Sequence, residues 1–90
     1  MELLSNILEE KDIGRAIREG RVVLLWGRVV SGEIARQTEA LKINRRILYV
    51  NVKSPVWAQE LNFLKPELIK RLNQEAGCAA VRDIRFKAGG

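Results

Sequence analysis

The run Ala40-Leu41-Lys42-Ile43-Asn44-Arg45-Arg46-Ile47-Leu48-Tyr49-Val50-Asn51-Val52-Lys53 has a period of two. Leu41 and Ile43 alternate with Ala40 and Lys42. Leu48, Val50 and Val52 alternate with Ile47, Tyr49 and Asn51. Successive side chains of a strand point to opposite faces, so the pattern predicts a β-hairpin with one apolar face. Asn44-Arg45-Arg46 lies between the two runs as a short polar turn.

Downstream, Ser54-Pro55 opens a helix. Serine is a good N-cap and proline suits the first helical position. Trp57, Leu61, Leu64, Leu68 and Leu72 then form an apolar stripe at helical spacing. Pro66 interrupts it, because proline has no N–H and clashes with the preceding turn. The expectation is two helices, about 55–63 and 66–76, meeting at a bend and stopped by Gly77. Residues 81–87 read as a last strand, with Ile84 and Phe86 toward the core and Arg85 and Lys87 outward.

Upstream, residues 1–10 read as a short helix with Leu4, Ile7 and Leu8 on one face, and Asp12 as the cap of a second. Val23, Trp26, Val30, Ile34 and Gln37 keep helical spacing, widened by Val22, Leu25 and Val29. They predict a buried helix from about Ile13 to Gln37, with a break near Gly20. The element order is α-(α)-β-β-α-α-β. The final strand joins the hairpin in a three-stranded sheet, all helices pack on its apolar face, and the other face stays open. This is an α+β chain, read as a single domain over residues 1–88 with a disordered end at 89–90.

Composition excludes several chemistries. The 90 residues include no histidine and one cysteine, Cys78. Zinc sites built from Cys and His, intrachain disulfides, and Ser-His-Asp or Cys-His catalysis therefore lack their groups. Cys78 follows the helix stop and is expected to pack as a small apolar residue. No Walker motif is present, and Glu60 and Glu67 have nothing convergent beside them, so no enzyme and no cofactor is expected. The longest unbroken apolar run, Val22–Trp26, is too short for a bilayer, and no basic stretch marks a signal peptide. The expectation is a soluble cytoplasmic protein, with no membrane and no small-molecule substrate.

Charge is uneven. The net charge of +5 divides into −3 over residues 1–10, +6 over 11–53 and +2 over 54–90. A basic domain suggests a polyanion partner, of which nucleic acid is the commonest.

Several stretches resemble a known family. Leu25-Trp26, Val29-Val30, Gly32-Glu33-Ile34-Ala35 and Thr38 are similar to one signature of the DciA family, bacterial proteins that help recruit and load the replicative helicase. Trp57-Ala58-Gln59-Glu60-Leu61 with Leu64-Lys65-Pro66-Glu67-Leu68 resembles its second signature, and Val81-Arg82-Asp83-Ile84-Arg85-Phe86 its closing strand. The resemblance covers roughly residues 20–88 and implies a KH-like core. KH domains commonly clamp single strands with a GXXG loop. The corresponding segment here, Asn62-Phe63-Leu64-Lys65-Pro66, has no glycine, and Gly27 stands where the family often has proline. Family members with long tails use them toward DNA or helicase, so the resemblance implies a minimal version.

The candidate nucleic-acid-binding residues are Lys42, Arg45, Arg46, Tyr49, Lys53, Arg85 and Lys87. Lys42, Arg85 and Lys87 alternate away from the apolar positions, Tyr49 shares their parity and is placed to stack on a base, and Arg45 and Arg46 reach phosphates from the turn. The other reading of this set is an ordinary solvated sheet face. Arg15, Arg18 and Arg21 recur at helical spacing; the two readings are phosphate binding and local pairing with Asp12 and Glu19, of which local pairing is favoured. Trp26 reads as core. Trp57 is placed either in the core or as an anchor for a partner. Gln59, Glu60 and Lys65 lie away from the leucines; packing does not require Gln59 and Glu60, which belong to the family signature, and with Trp57 these are the candidate partner-binding residues.

The leading expectation is a non-enzymatic adaptor that binds single- or double-stranded DNA and helps recruit or load the replicative helicase. The alternatives are a KH-like RNA-binding module and a protein-interaction domain without nucleic-acid binding.

Overall fold

The computed structural model describes residues 20–89. The short helix over 1–10, the Asp12 cap, Arg15 and Arg18 lie outside the described residues. Helix α1 runs over residues 20–29, followed by α2 (Gly32–Gln37), β1 (Thr38–Asn44), β2 (Ile47–Val52), α3 (Pro55–Ala76) and β3 (Asp83–Ala88). The sheet order is β1-β2-β3. The hairpin strands pair antiparallel, and β3 lies parallel to β2. This is the α+β arrangement expected, compatible with a KH-like core.

One face of the sheet carries the core. Leu48, Val50, Val52 and Ile84 meet Val22, Trp26, Val29 and Val30 from α1 and its end, and Leu61, Leu68 and Leu72 from α3. Side chains of this size each contribute about 1.5–3 kcal/mol when fully buried. Trp26 is buried as expected. Its Nε1 donates to Thr38 Oγ1 at 2.9 Å, and the Thr38 hydroxyl donates to the Ile34 carbonyl at 2.7 Å. Its ring lies 6.1 Å from Phe86, tilted by 56°, within the usual range for an aromatic pair.

The helix expected to reach Gln37 is broken; the break expected near Gly20 falls at the edge of the described residues, where Gly20 itself is helical. The observed break lies at Val30 and Ser31. Ser31 is extended, and Gly32 enters α2 with φ of 60°, a left-handed conformation that favours glycine. The turn brings Thr38 back under Trp26.

Strand β1 departs from strict alternation. Ala40 pairs with Val50 and Lys42 with Tyr49, so Leu41 is an extra residue, a β-bulge. The bulge reverses the facing expected before it. Ala40 packs against the core, while Leu41 is 53% exposed.

Helix α3 is one helix, not two. It begins as expected, with Ser54 Oγ accepting from the Trp57 amide at 3.3 Å and Pro55 in the first position. It ends at Gly77, whose φ is 76° and whose N–H donates to the Asn73 carbonyl at 2.9 Å. Pro66 sits inside it. An interior proline costs about 3 kcal/mol. Burial of Leu61 before it and of Leu68 and Leu72 after it, on one face, outweighs that cost. Leu64, expected in the same stripe, is instead 42% exposed. Cys78, expected to pack, is exposed.

Candidate nucleic-acid interface

Two L-residues form the hairpin turn in the left-handed region, Arg45 with φ of 52° and Arg46 with φ of 66°. A two-residue turn with both φ positive matches strand twist, and it ordinarily takes Asn-Gly. Arginine there costs about 1–2 kcal/mol per residue. Long-range bonds hold the turn in place. Arg82 Nε donates to the Arg45 carbonyl at 2.9 Å, the Arg82 amide donates to the Arg46 carbonyl at 2.8 Å, and Arg46 Nε donates to the Ala79 carbonyl at 3.0 Å. The segment after α3 is thereby bolted to the turn. Asn73 fixes that segment from the other side, donating from Nδ2 to the Val81 carbonyl and accepting on Oδ1 from the Val81 amide.

A cleft of about 660 Å³ opens between α1, the turn and the segment after α3. Arg21, Arg45 and Arg46 line it above Val22, Leu25 and Ile43, and no carboxylate lines it among the described residues. All three arginines are exposed. Cation-rich walls beside low-dielectric apolar atoms focus a positive potential. The cleft therefore suits an anion carrying an apolar body, such as a phosphate next to a sugar or base.

The open sheet face is different. Lys42, Tyr49 and Arg85 form one row across the three strands. Lys42 Nζ stands 5.2 Å from the Tyr49 ring centroid, so the ring already carries a cation. Arg85 Nε donates to Asp83 Oδ2 at 3.1 Å, and Lys65 Nζ pairs with Asp83 Oδ1 at 3.1 Å. Partial burial pushes the Asp83 carboxyl up. Hydrogen bonds from Lys65, Arg85 and the Ile84 amide outweigh that push and hold it below its ordinary value. Glu39 shares the next row with Asn51 and Lys87. Two carboxylates, Asp83 and Glu39, partly offset the cations of this face.

The seven expected nucleic-acid residues are thus not one patch. Arg45 and Arg46 stand at the turn. Lys42, Tyr49 and Arg85 lie in mid-sheet, and Lys53 and Lys87 lie toward the far end of the hairpin, roughly 20 Å along the strands by their rise per residue. Arg21 lines the cleft beside the turn, while Asp12 and Glu19, its expected local partners, lie outside the described residues. Arg82 was not singled out at all. Its bonds reach 37 residues back along the chain, so spacing carries no trace of them.

Of the expected partner residues, Gln59 and Glu60 are exposed on α3. Trp57 is half-buried against the core cluster, and Lys65 is half-buried and ties α3 to β3 through Asp83. The segment 62–66 is the middle of α3, so no loop exists there to clamp a backbone in the GXXG manner. No helix among the described residues is long and apolar enough to cross a membrane. No cluster of three or more metal-ligating side chains occurs among them either.

The family model described as "Dna[CI] antecedent, DciA" matches residues 1–86. A UPF0232 protein of Streptomyces avermitilis is 27% identical over 89 residues, covering 97% of this chain and 49% of its own length. A UPF0232 protein of Streptomyces coelicolor is 28% identical over 89 residues, covering 97% and 47%. A UPF0232 protein of Mycobacterium leprae is 28% identical over 81 residues, covering 90% and 43%. The chain spans about half the length of these curated relatives. With a family match that reaches from the first residue into β3, the chain belongs to the DciA family.

Proposed function

We propose that this domain is a non-enzymatic adaptor that holds DNA at the hairpin-turn end and serves the recruitment or loading of the replicative helicase. The helicase half is supported by membership of the DciA family. The DNA half is supported by the cleft walled by Arg21, Arg45 and Arg46, with no carboxylate lining it among the described residues. The phosphate contacts belong at this end, because Asp83 and Glu39 partly offset the cations of the open sheet face, whereas among the described residues no carboxylate lines the cleft. Lys42, Arg85 and Lys87 contribute at longer range, and Tyr49 stacks on a base only if Lys42 swings away. Gln59 and Glu60 remain free for the helicase.

Fluorescence anisotropy of labelled single- and double-stranded oligonucleotides, at about 50 and 200 mM salt, tests the DNA half. Binding should weaken with salt, and Arg45→Glu with Arg46→Glu should weaken it by tenfold or more (about 1.4 kcal/mol). Binding that ignores both salt and the double substitution refutes it. Co-elution with the hexameric helicase tests the other half separately.

A further inference from the structure

Helix α3 carries a second stripe, flanking the leucines that enter the core. At about 100° per residue, Val56, Glu60, Phe63, Leu64 and Glu67 fall within an arc of about 100°, the width of an ordinary buried helix face. Yet this face is open. Val56 is 72% exposed, Phe63 76% and Leu64 42%. Val56, Glu60, Phe63 and Glu67 are spaced four, three and four apart, the spacing of a heptad seam. Glu60 and Glu67 form no ion pair among the described residues. In a chain of net charge +5, this is an acidic and apolar strip over residues 56–67, followed one turn later by Lys70 and Arg71.

The geometry points to a docking face for a basic amphipathic helix of a partner protein. Such a helix sets apolar side chains against Val56, Phe63 and Leu64, with lysines or arginines toward Glu60 and Glu67. An exposed phenylalanine at the centre of such a strip is the kind of anchor that dominates an interface. Nucleic acid is repelled by the two carboxylates. A second copy of this chain stays an outcome of the test, because pairing the same stripe brings Lys70 and Arg71, one turn beyond Glu67, toward the other copy's carboxylates. Residue 67 lies about 13 Å along the helix from Ala76 at the arginine cleft, so this face and the cleft can be filled together. The inference stands on α3 alone and does not need the helicase to be the partner.

The test uses the full chain and two model helices about three heptads long, with leucine at the seam and either lysine or glutamate flanking it. Isotope-labelled protein is titrated with each peptide and followed by amide chemical shifts. The lysine-flanked helix should bind and perturb residues 56–67. Phe63→Ala should weaken it about tenfold or more. Glu60→Lys with Glu67→Lys should abolish it and confer binding of the glutamate-flanked helix. Equal binding of both peptides, shifts confined to other surfaces, or no binding by a parent that still binds DNA would overturn the proposal. So would concentration-dependent dimerisation that Phe63→Ala removes. Each altered residue is exposed, and unchanged far-UV circular dichroism confirms that the variants are folded.

Discussion

The Asn73 carboxamide holds both polar groups of the Val81 backbone, donating to its carbonyl at 3.0 Å and accepting from its amide at 2.8 Å. A side chain on α3 thereby does for the segment before β3 what a neighbouring strand would do. Val81 is buried, so both groups lose water when the chain folds. Asn73→Ala leaves them unpaired, at about 1–3 kcal/mol for each stranded group. Thermal unfolding should shift down by roughly 4–8 °C per kcal/mol. An unchanged midpoint would mean that water replaces the carboxamide at no cost.

Arg45 is strained where it stands. Arg45→Asn relieves a left-handed arginine and should raise stability by about 1 kcal/mol in urea unfolding. The same change should lower DNA affinity and reduce the salt slope by about one. A gain in stability with no loss of DNA binding would remove Arg45 from the interface.

Pro66→Ala restores the amide that the Asn62 carbonyl lacks inside α3. It should stabilise the domain, by up to about 3 kcal/mol, with little change in far-UV circular dichroism. A large gain of helical signal would instead indicate that the helix is interrupted at Pro66 in solution, as residue pattern alone predicts.

Asp83 makes stability depend on acid. Its folded value lies below the ordinary 3.8. The stability it supplies is therefore fully present above the unfolded value and is lost as pH falls through the lower folded one. Urea midpoints of the parent should drop more steeply below about pH 4 than those of Asp83→Asn. The two proteins should differ at neutral pH by no more than about 1 kcal/mol, because the pairs are partly exposed. Parallel pH profiles would show that Lys65 and Arg85 gain nothing from the charge.

The hairpin, the Ser54-Pro55 start and the Gly77 stop were all legible, because each is set within a few residues. Leu48, Val50, Val52 and Ile84 were correctly read as core for the same reason. Leu41 was misread, since one inserted residue changes facing without changing composition. The candidate site was only half legible. Arg45 and Arg46 stood out as charges in a turn, but Arg21 joins them only after α1 packs against the hairpin.

What the sequence by itself determined is local: where the chain turns, which faces are apolar, the excess of positive charge, and the signatures that place it in its family. The tertiary structure decided the rest. It ran α3 straight through Pro66, because leucines on both sides of the proline share one buried face. It divided the six expected cations and Tyr49 among three places, because the strands carry them apart. It tied Lys65 to Asp83, set Arg82 on the Arg45 carbonyl, and left Phe63 facing outward. Each of these depends on distances between residues far apart in the chain, and periodicity contains no such distance.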